Sequence, residues 1–141
     1  MHPIRELSLA ACAVVLVMAP IAARADGPDW NAVVAVEEVD VLTTDEDGNS
    51  RDTVIWFTLL DGRAYIRTSG STNWGDNVER NPDIVLRIEE AEYPFRAAFI
   101  SDEAEREQIV AAFREKYGWF DGILNFVRGS SPRIMRLDAR E

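Results

Sequence analysis

Several stretches of the chain alternate apolar and polar residues with a period of two, and each alternation predicts a strand. From Glu37 to Thr44, Val39 and Val41 alternate with Glu38 and Asp40, as in a half-buried strand. Thr53 to Leu60, T-V-I-W-F-T-L-L, is apolar at both parities and predicts a strand covered on both faces, with Trp56 and Phe57 in the core. Asp61-Gly62 follows, a two-residue hairpin signal. It leads into a strand from Arg63 to Thr68 with Tyr65 and Arg67 on one face and Ala64, Ile66 and Thr68 on the other. Alternation returns at Ile84, Leu86 and Ile88, and again at Tyr93, Phe95, Ala97 and Phe99, on either side of a turn near Glu90-Ala91. A last strand spans Arg133 to Asp138, with Ile134 and Met135 facing opposite ways.

Between these strands the period lengthens. Asp29 is placed to cap a short helix from Trp30 to Ala35. Ser71 or Thr72 is placed to cap another, Asn73 to Arg80, whose Trp74 and Val78 share a face at i, i+4; Asn81-Pro82 ends it. Asp102-x-x-Glu105 opens the clearest helix, with Ile109, Val110, Phe113 and Tyr117 on one apolar face and Gly118 as its stop. Lys116 sits in its last turn, where a cation complements the helix dipole. A further helical stretch is predicted from Trp119 to Val127, followed by the loop Gly129 to Pro132. Six strands joined mostly by hairpins, with three or four short helices, predict an α+β fold: a six-stranded antiparallel barrel or strongly bent sheet with helices packed outside.

The first 25 residues stand apart. Arg5, an apolar run from Leu7 to Ala22, and Ala23-Arg24-Ala25 form the charged, apolar and small-residue regions of a cleavable export signal. An uncleaved anchor is the weaker reading, because Pro20 interrupts an already short run, and the L-A-A-C ending at Cys12 comes too early for a lipidation box. The expected mature chain, residues 26–141, is one domain in the periplasm or outside the cell, without stable membrane insertion. Cleavage removes Cys12 and His2, the single cysteine and single histidine. What remains excludes a thiolate nucleophile, a Ser-His-Asp relay and zinc sites of the usual ligands.

Charge narrows the partners further. Without its leader the chain carries 13 basic and 24 acidic residues, so no nucleic-acid partner is expected. The acidic turn Asp45-Glu46-Asp47-Gly48-Asn49 lacks the ligand spacing of a calcium loop, and no metal site is assigned.

Three segments in order, V-I-W-F-T-L-L-D-G-R-A-Y-I-R-T-S-G, W-x-x-N-V-x-x-N-P-x-I-x-L-R-I and D-E-x-E-R-x-x-I-x-x-A-F-R-x-K-Y-G, resemble the split β-barrel superfamily of pyridoxamine-phosphate-oxidase-like, flavin-binding proteins. Within it they are most similar to an uncharacterised branch related to deazaflavin-dependent nitroreductases. The resemblance implies a homodimer that holds FMN or a deazaflavin, with the phosphate gripped by Arg, Lys, Ser and Thr of neighbouring strands and loops. Carried onto this chain, it points to Arg67, Thr68 and Ser69 at the end of the hairpin strand and to Trp74 and Asn77 on the next helix. Arg51, Arg133 and Ser71 are the further candidates for a phosphate clamp, completed by backbone amides at the helix start. The sequence departs from the pattern at D-E-D-G-N-S-R, where deazaflavin-binding relatives carry a basic T-G-R-K-S-G segment.

Bland roles compete for each residue. Trp74 with Val78 suits helix packing, Asn77 a helix-to-strand hydrogen bond, and Arg67 a surface ion pair. No catalytic side chain is assigned, because a flavin performs hydride transfer itself. The expected function is an exported barrel that binds a flavin-type cofactor or another small anionic ligand. The alternative is a flavin- or deazaflavin-dependent oxidoreductase.

Overall fold

A computed structural model describes residues 27–118 and 132–140; the expectations for residues 1–25 and for a helix at 119–127 fall outside them. The chain forms β1 (Val39–Thr44), β2 (Ser50–Ile55), β3 (Phe57–Leu60), β4 (Arg63–Arg67), β5 (Asp83–Ile88), β6 (Ala91–Phe99) and β7 (Ile134–Ala139), with helices α1 (Trp30–Val33), α2 (Asn73–Arg80) and α3 (Glu103–Tyr117). All strand pairings are antiparallel, in the order β2-β1-β5-β6-β7-β4-β3.

The two ends of that order, β2 and β3, are consecutive in the chain and separated by Trp56 alone. The sheet therefore curls until its ends meet. Seven strands replace the expected six because the expected strand Thr53–Leu60 begins earlier, at Ser50, and divides at Trp56. The part before Trp56 pairs with β1 and the part after it pairs with β4. A single run of apolar residues cannot show a change of partner.

The inside of the curl holds one core: Val39 and Val41 of β1, Phe57, Ala64 and Ile66 of β3 and β4, alternate residues of β5 and β6, and Met135 and Leu137. Trp74 and Val78 of α2 join it, and Trp30 of α1 packs against Phe57 and Phe95. A second cluster on the opposite face joins Tyr65, Ile100 and Ile134 to Ile109 and Phe113 of α3, with Trp56, Leu60 and Tyr117 at its border. Ile134 and Met135 thus face opposite ways, as a strand requires. The expected alternation in β6 holds for Tyr93, Phe95 and Ala97, whereas Phe99 is exposed.

Local chemistry explains the element ends. Asp61 and Gly62 both have positive φ, the conformation a two-residue hairpin needs. Thr72 caps α2 by accepting from Gly75 N–H, and Asp102 caps α3 by accepting from Glu105 N–H. Among the described residues no helix is long and apolar enough to cross a membrane.

Candidate functional site

A groove of about 530 Å³ opens between α2 and the turn joining β1 to β2. The turn is built on Asp45, whose Oδ1 accepts from the backbone N–H groups of Asp47 and Asn49, each at 2.9 Å. The backbone N–H of Asn49 and the guanidinium of Arg51, 2.7 Å from Asp45 Oδ2, hold this carboxyl below the usual carboxylate range. From α2 come Asn73, Trp74, Asp76, Asn77 and Arg80; from the turn and β2 come Glu46, Asp47, Arg51, Asp52 and Thr53. Five carboxylates, Asp45, Glu46, Asp47, Asp52 and Asp76, thus face two guanidinium groups, Arg51 and Arg80.

Asn77 fixes the floor. Its Nδ2 donates to Thr43 Oγ1 of β1 at 3.1 Å, and its Oδ1 accepts from Arg80 one turn on. Both Asn77 and Thr43 are buried, so the pair ties α2 to the sheet through satisfied polar groups. Arg80 also reaches Glu46 at 3.4 Å, crossing the groove from helix to turn.

Behind α2, Arg133 spans from the start of β7 to the helix. It donates to Asp76 at 2.9 Å and to the carbonyl of Thr72 at 3.1 Å, and it pairs with Glu79 at 3.1 Å. Partial burial works against this charge, but Glu79 and Asp76 hold the guanidinium above its ordinary pKa. Gly75 makes the approach feasible, since a Cβ there would collide with Arg133 Nη2 and meet Thr68 Cγ2 at 2.7 Å. Thr68 accepts from Arg133 N–H at 3.0 Å and donates to Gly70 O at 2.7 Å.

Arg67 belongs to the other face of the sheet. Its guanidinium lies 4.3 Å from the ring centroid of Phe113 on α3, and burial pushes its pKa down to about 10. Of the eight residues singled out in the sequence, the fold brings Arg51, Trp74 and Asn77 to the groove and joins Thr68 to Arg133 behind it. Ser69 and Ser71 are exposed on the connecting loop, and Arg67 faces α3. Each of the three arginines is directed at a different element. Arg51 and Arg133 are engaged with carboxylates of the chain itself.

The end of α3 carries chemistry that the sequence showed only as a helix terminus. Trp56, at the division between β2 and β3, stacks on Tyr117 with centroids 4.1 Å apart and planes 6° apart. The Tyr117 hydroxyl accepts from Phe57 N–H at 3.3 Å and donates to the carbonyl of Glu37, with the Phe57 carbonyl 3.1 Å away. Lys116 Nζ donates to that same Phe57 carbonyl at 3.0 Å. These two side chains satisfy backbone groups where the strand changes partner. Their burial drives Lys116 down to about 8 and Tyr117 up to about 12.

The curled seven-stranded sheet has solved counterparts. HutZ, the heme storage protein of Vibrio cholerae, is 17% identical, with 74% of this chain and 82% of that one covered and a TM-score of 0.63. An F420-H2 dependent reductase is 18% identical over 73% of this chain and 95% of the other, at a TM-score of 0.58. A putative 5-nitroimidazole antibiotic resistance protein from Bacteroides thetaiotaomicron is 12% identical over 79% and 78%, at 0.60. The fold is a split β-barrel. No family model matches the sequence, and no curated protein matches it. At these identities the likeness establishes the split barrel alone.

Proposed function

We propose that this split barrel is a small-molecule-binding domain that works outside the cytoplasm and takes a ring ligand in the groove between α2 and the β1–β2 turn. The observation that carries the reading is the groove itself. Its volume lies in the range of cofactor and small-ligand sites, its floor is pinned by the Asn77–Thr43 bond, and Trp74 adds an aromatic wall. Support also comes from solved split barrels whose names include a heme storage protein and an F420-H2 dependent reductase. Export rests on the leader pattern of residues 1–25, and a homodimer on the resemblance to flavin-binding relatives.

The charge of the lining refines the ligand class. Five carboxylates against two arginines repel a phosphate, so the groove favours a neutral or cationic ring over the anionic cofactor expected from the resemblance. The oxidoreductase alternative draws on the reductase neighbour and requires a flavin or deazaflavin to supply hydride chemistry. The described residues near the groove would orient such a ring, through Trp74 and Asn77, but would not anchor its phosphate.

The test is equilibrium dialysis of the leaderless chain against riboflavin, FMN, a deazaflavin and hemin. Retention of at least one ring ligand at micromolar concentration, reduced by Trp74→Leu, is the expected result. Retention of none at high micromolar concentration overturns the reading.

A further inference from the structure

β2 ends the order of the sheet, and no pairing joins it to any described strand but β1. The strand at the other end is served differently. At β3, Tyr117 accepts from Phe57 N–H, Lys116 donates to the Phe57 carbonyl and Thr58 donates to the carbonyl of Ala112, so α3 lies along that strand. The register shows which backbone groups of β2 are left over. Asp45 N–H donates to the carbonyl of Asn49 at 2.9 Å, which makes these two a hydrogen-bonded pair at the hairpin end. Antiparallel pairs alternate between bonded and non-bonded kinds, so Thr44↔Ser50, Leu42↔Asp52 and Asp40↔Val54 are non-bonded. The N–H and C=O groups of Ser50, Asp52 and Val54 therefore point away from β1.

An open edge is commonly blunted by proline, lysine or a bulge. β2 has neither residue, and its register with β1 runs without a bulge. Val54, 60% exposed, is the most exposed large apolar side chain among the described residues. The α2 groove supplies a second wall beside this edge. Arg51, Asp52 and Thr53 all line it, and three consecutive residues take both faces of a strand, so the groove follows the edge of β2 rather than one face. Trp74, Asp76 and Arg80 of α2 stand across it.

We propose that the open edge of β2 docks an extended basic peptide, which adds to the sheet as an antiparallel strand. Peptide residues bonded to Ser50, Asp52 and Val54 place their side chains on the outer face, beside Val54. The alternate residues turn into the groove, toward its carboxylates. The fitting partner thus alternates apolar residues with lysine or arginine. Charge selects it over a second copy of this chain. The groove sets five carboxylates against two guanidinium groups and the chain carries a net charge of −10, so a basic segment is attracted and another acidic chain repelled. The inference goes beyond the ring-ligand reading and stands without it, because it rests on the backbone of β2.

The experiment titrates the whole chain with the end-capped peptide Lys-Val-Lys-Val-Lys-Val by calorimetry and follows amide hydrogen exchange. Binding should protect the amides of Asp52 and Val54. N-methylation of the valines removes the N–H groups that face β2 and should weaken binding by at least about tenfold, whereas N-methylation of the lysines should change it by less than about threefold. The acidic peptide Glu-Val-Glu-Val-Glu-Val should not bind. Val54→Pro removes a donor on the open edge without touching the β1 ladder, so it should abolish peptide binding while the β1 amides stay protected. The proposal is overturned if the basic peptide fails to bind at millimolar concentration, if the two N-methylated forms bind alike, or if the acidic peptide binds as well. Protection of Asp52 and Val54 in a concentration-dependent dimer without peptide would overturn it in favour of a second copy. The N-methyl comparison needs no variant to fold.

Discussion

Gly75 is the position where one added carbon changes most. A Cβ there would occupy the place of Arg133 Nη2 and press on Thr68 Cγ2, both held by hydrogen bonds. Gly75→Ala should therefore cost about 1–3 kcal/mol in urea unfolding. In combination with Arg133→Ala it should cost less than the sum of the two single changes, because the collision with the guanidinium is gone and only that with Thr68 Cγ2 stays. Additivity would show that the helix tolerates the methyl without moving Arg133. Tyr117 offers a second test. Its hydroxyl serves Phe57 N–H and the Glu37 carbonyl, so Tyr117→Phe leaves backbone groups unpaired and should lose about 1–3 kcal/mol by the same measurement. An unchanged midpoint would mean that water replaces the hydroxyl.

The elements whose ends depend on local chemistry were legible in the sequence. Asp102 and Thr72 cap their helices, the Asp61-Gly62 hairpin has the φ values it needs, and the parity of β4 and β7 sorts Tyr65 from Ile66 and Ile134 from Met135 as expected. Thr72→Ala should accordingly destabilise by about 1 kcal/mol, with α2 amides losing hydrogen-exchange protection before the strands. Protection lost uniformly would mean that α2 has no independent opening. The division at Trp56 was not legible, since it depends on Tyr117 and Lys116 some sixty positions away. The site was partly legible for the same reason. Sequence spacing put Trp74 and Asn77 on one helix, but only the fold shows Arg51 held by Asp45 and Arg133 by Asp76 and Glu79.

At the scale of the whole molecule, two groups at the end of α3 shape stability in alkali. Lys116 titrates near 8 when folded and near 10.5 when unfolded, so between those values the unfolded chain binds more protons. Stability should rise with pH across that window. Tyr117 has the opposite sign: its folded pKa of about 12 exceeds the ordinary 10.0, so the folded chain keeps its proton longer and stability falls as pH climbs from 10 toward 12. Above pH 10 Arg67, lowered to about 10 by burial, opposes Tyr117, so the expected signature is a rise in urea midpoint from pH 8 to 10 that Lys116→Met removes. A wild-type profile flat from pH 8 to 10 would contradict the burial argument.

The same molecule-wide charge, acidic overall and acidic in the groove, decides what the barrel can hold. The most direct measurement is a calorimetric comparison of riboflavin with FMN, two ligands that differ by one phosphate, on the wild-type chain and on Glu46→Gln/Asp47→Asn/Asp52→Asn. Riboflavin should bind the wild type more tightly than FMN, with a gap that narrows by about tenfold when three of the five carboxylates are neutralised. FMN binding as tightly as riboflavin to the wild type, with no response to the neutralised groove, would contradict it.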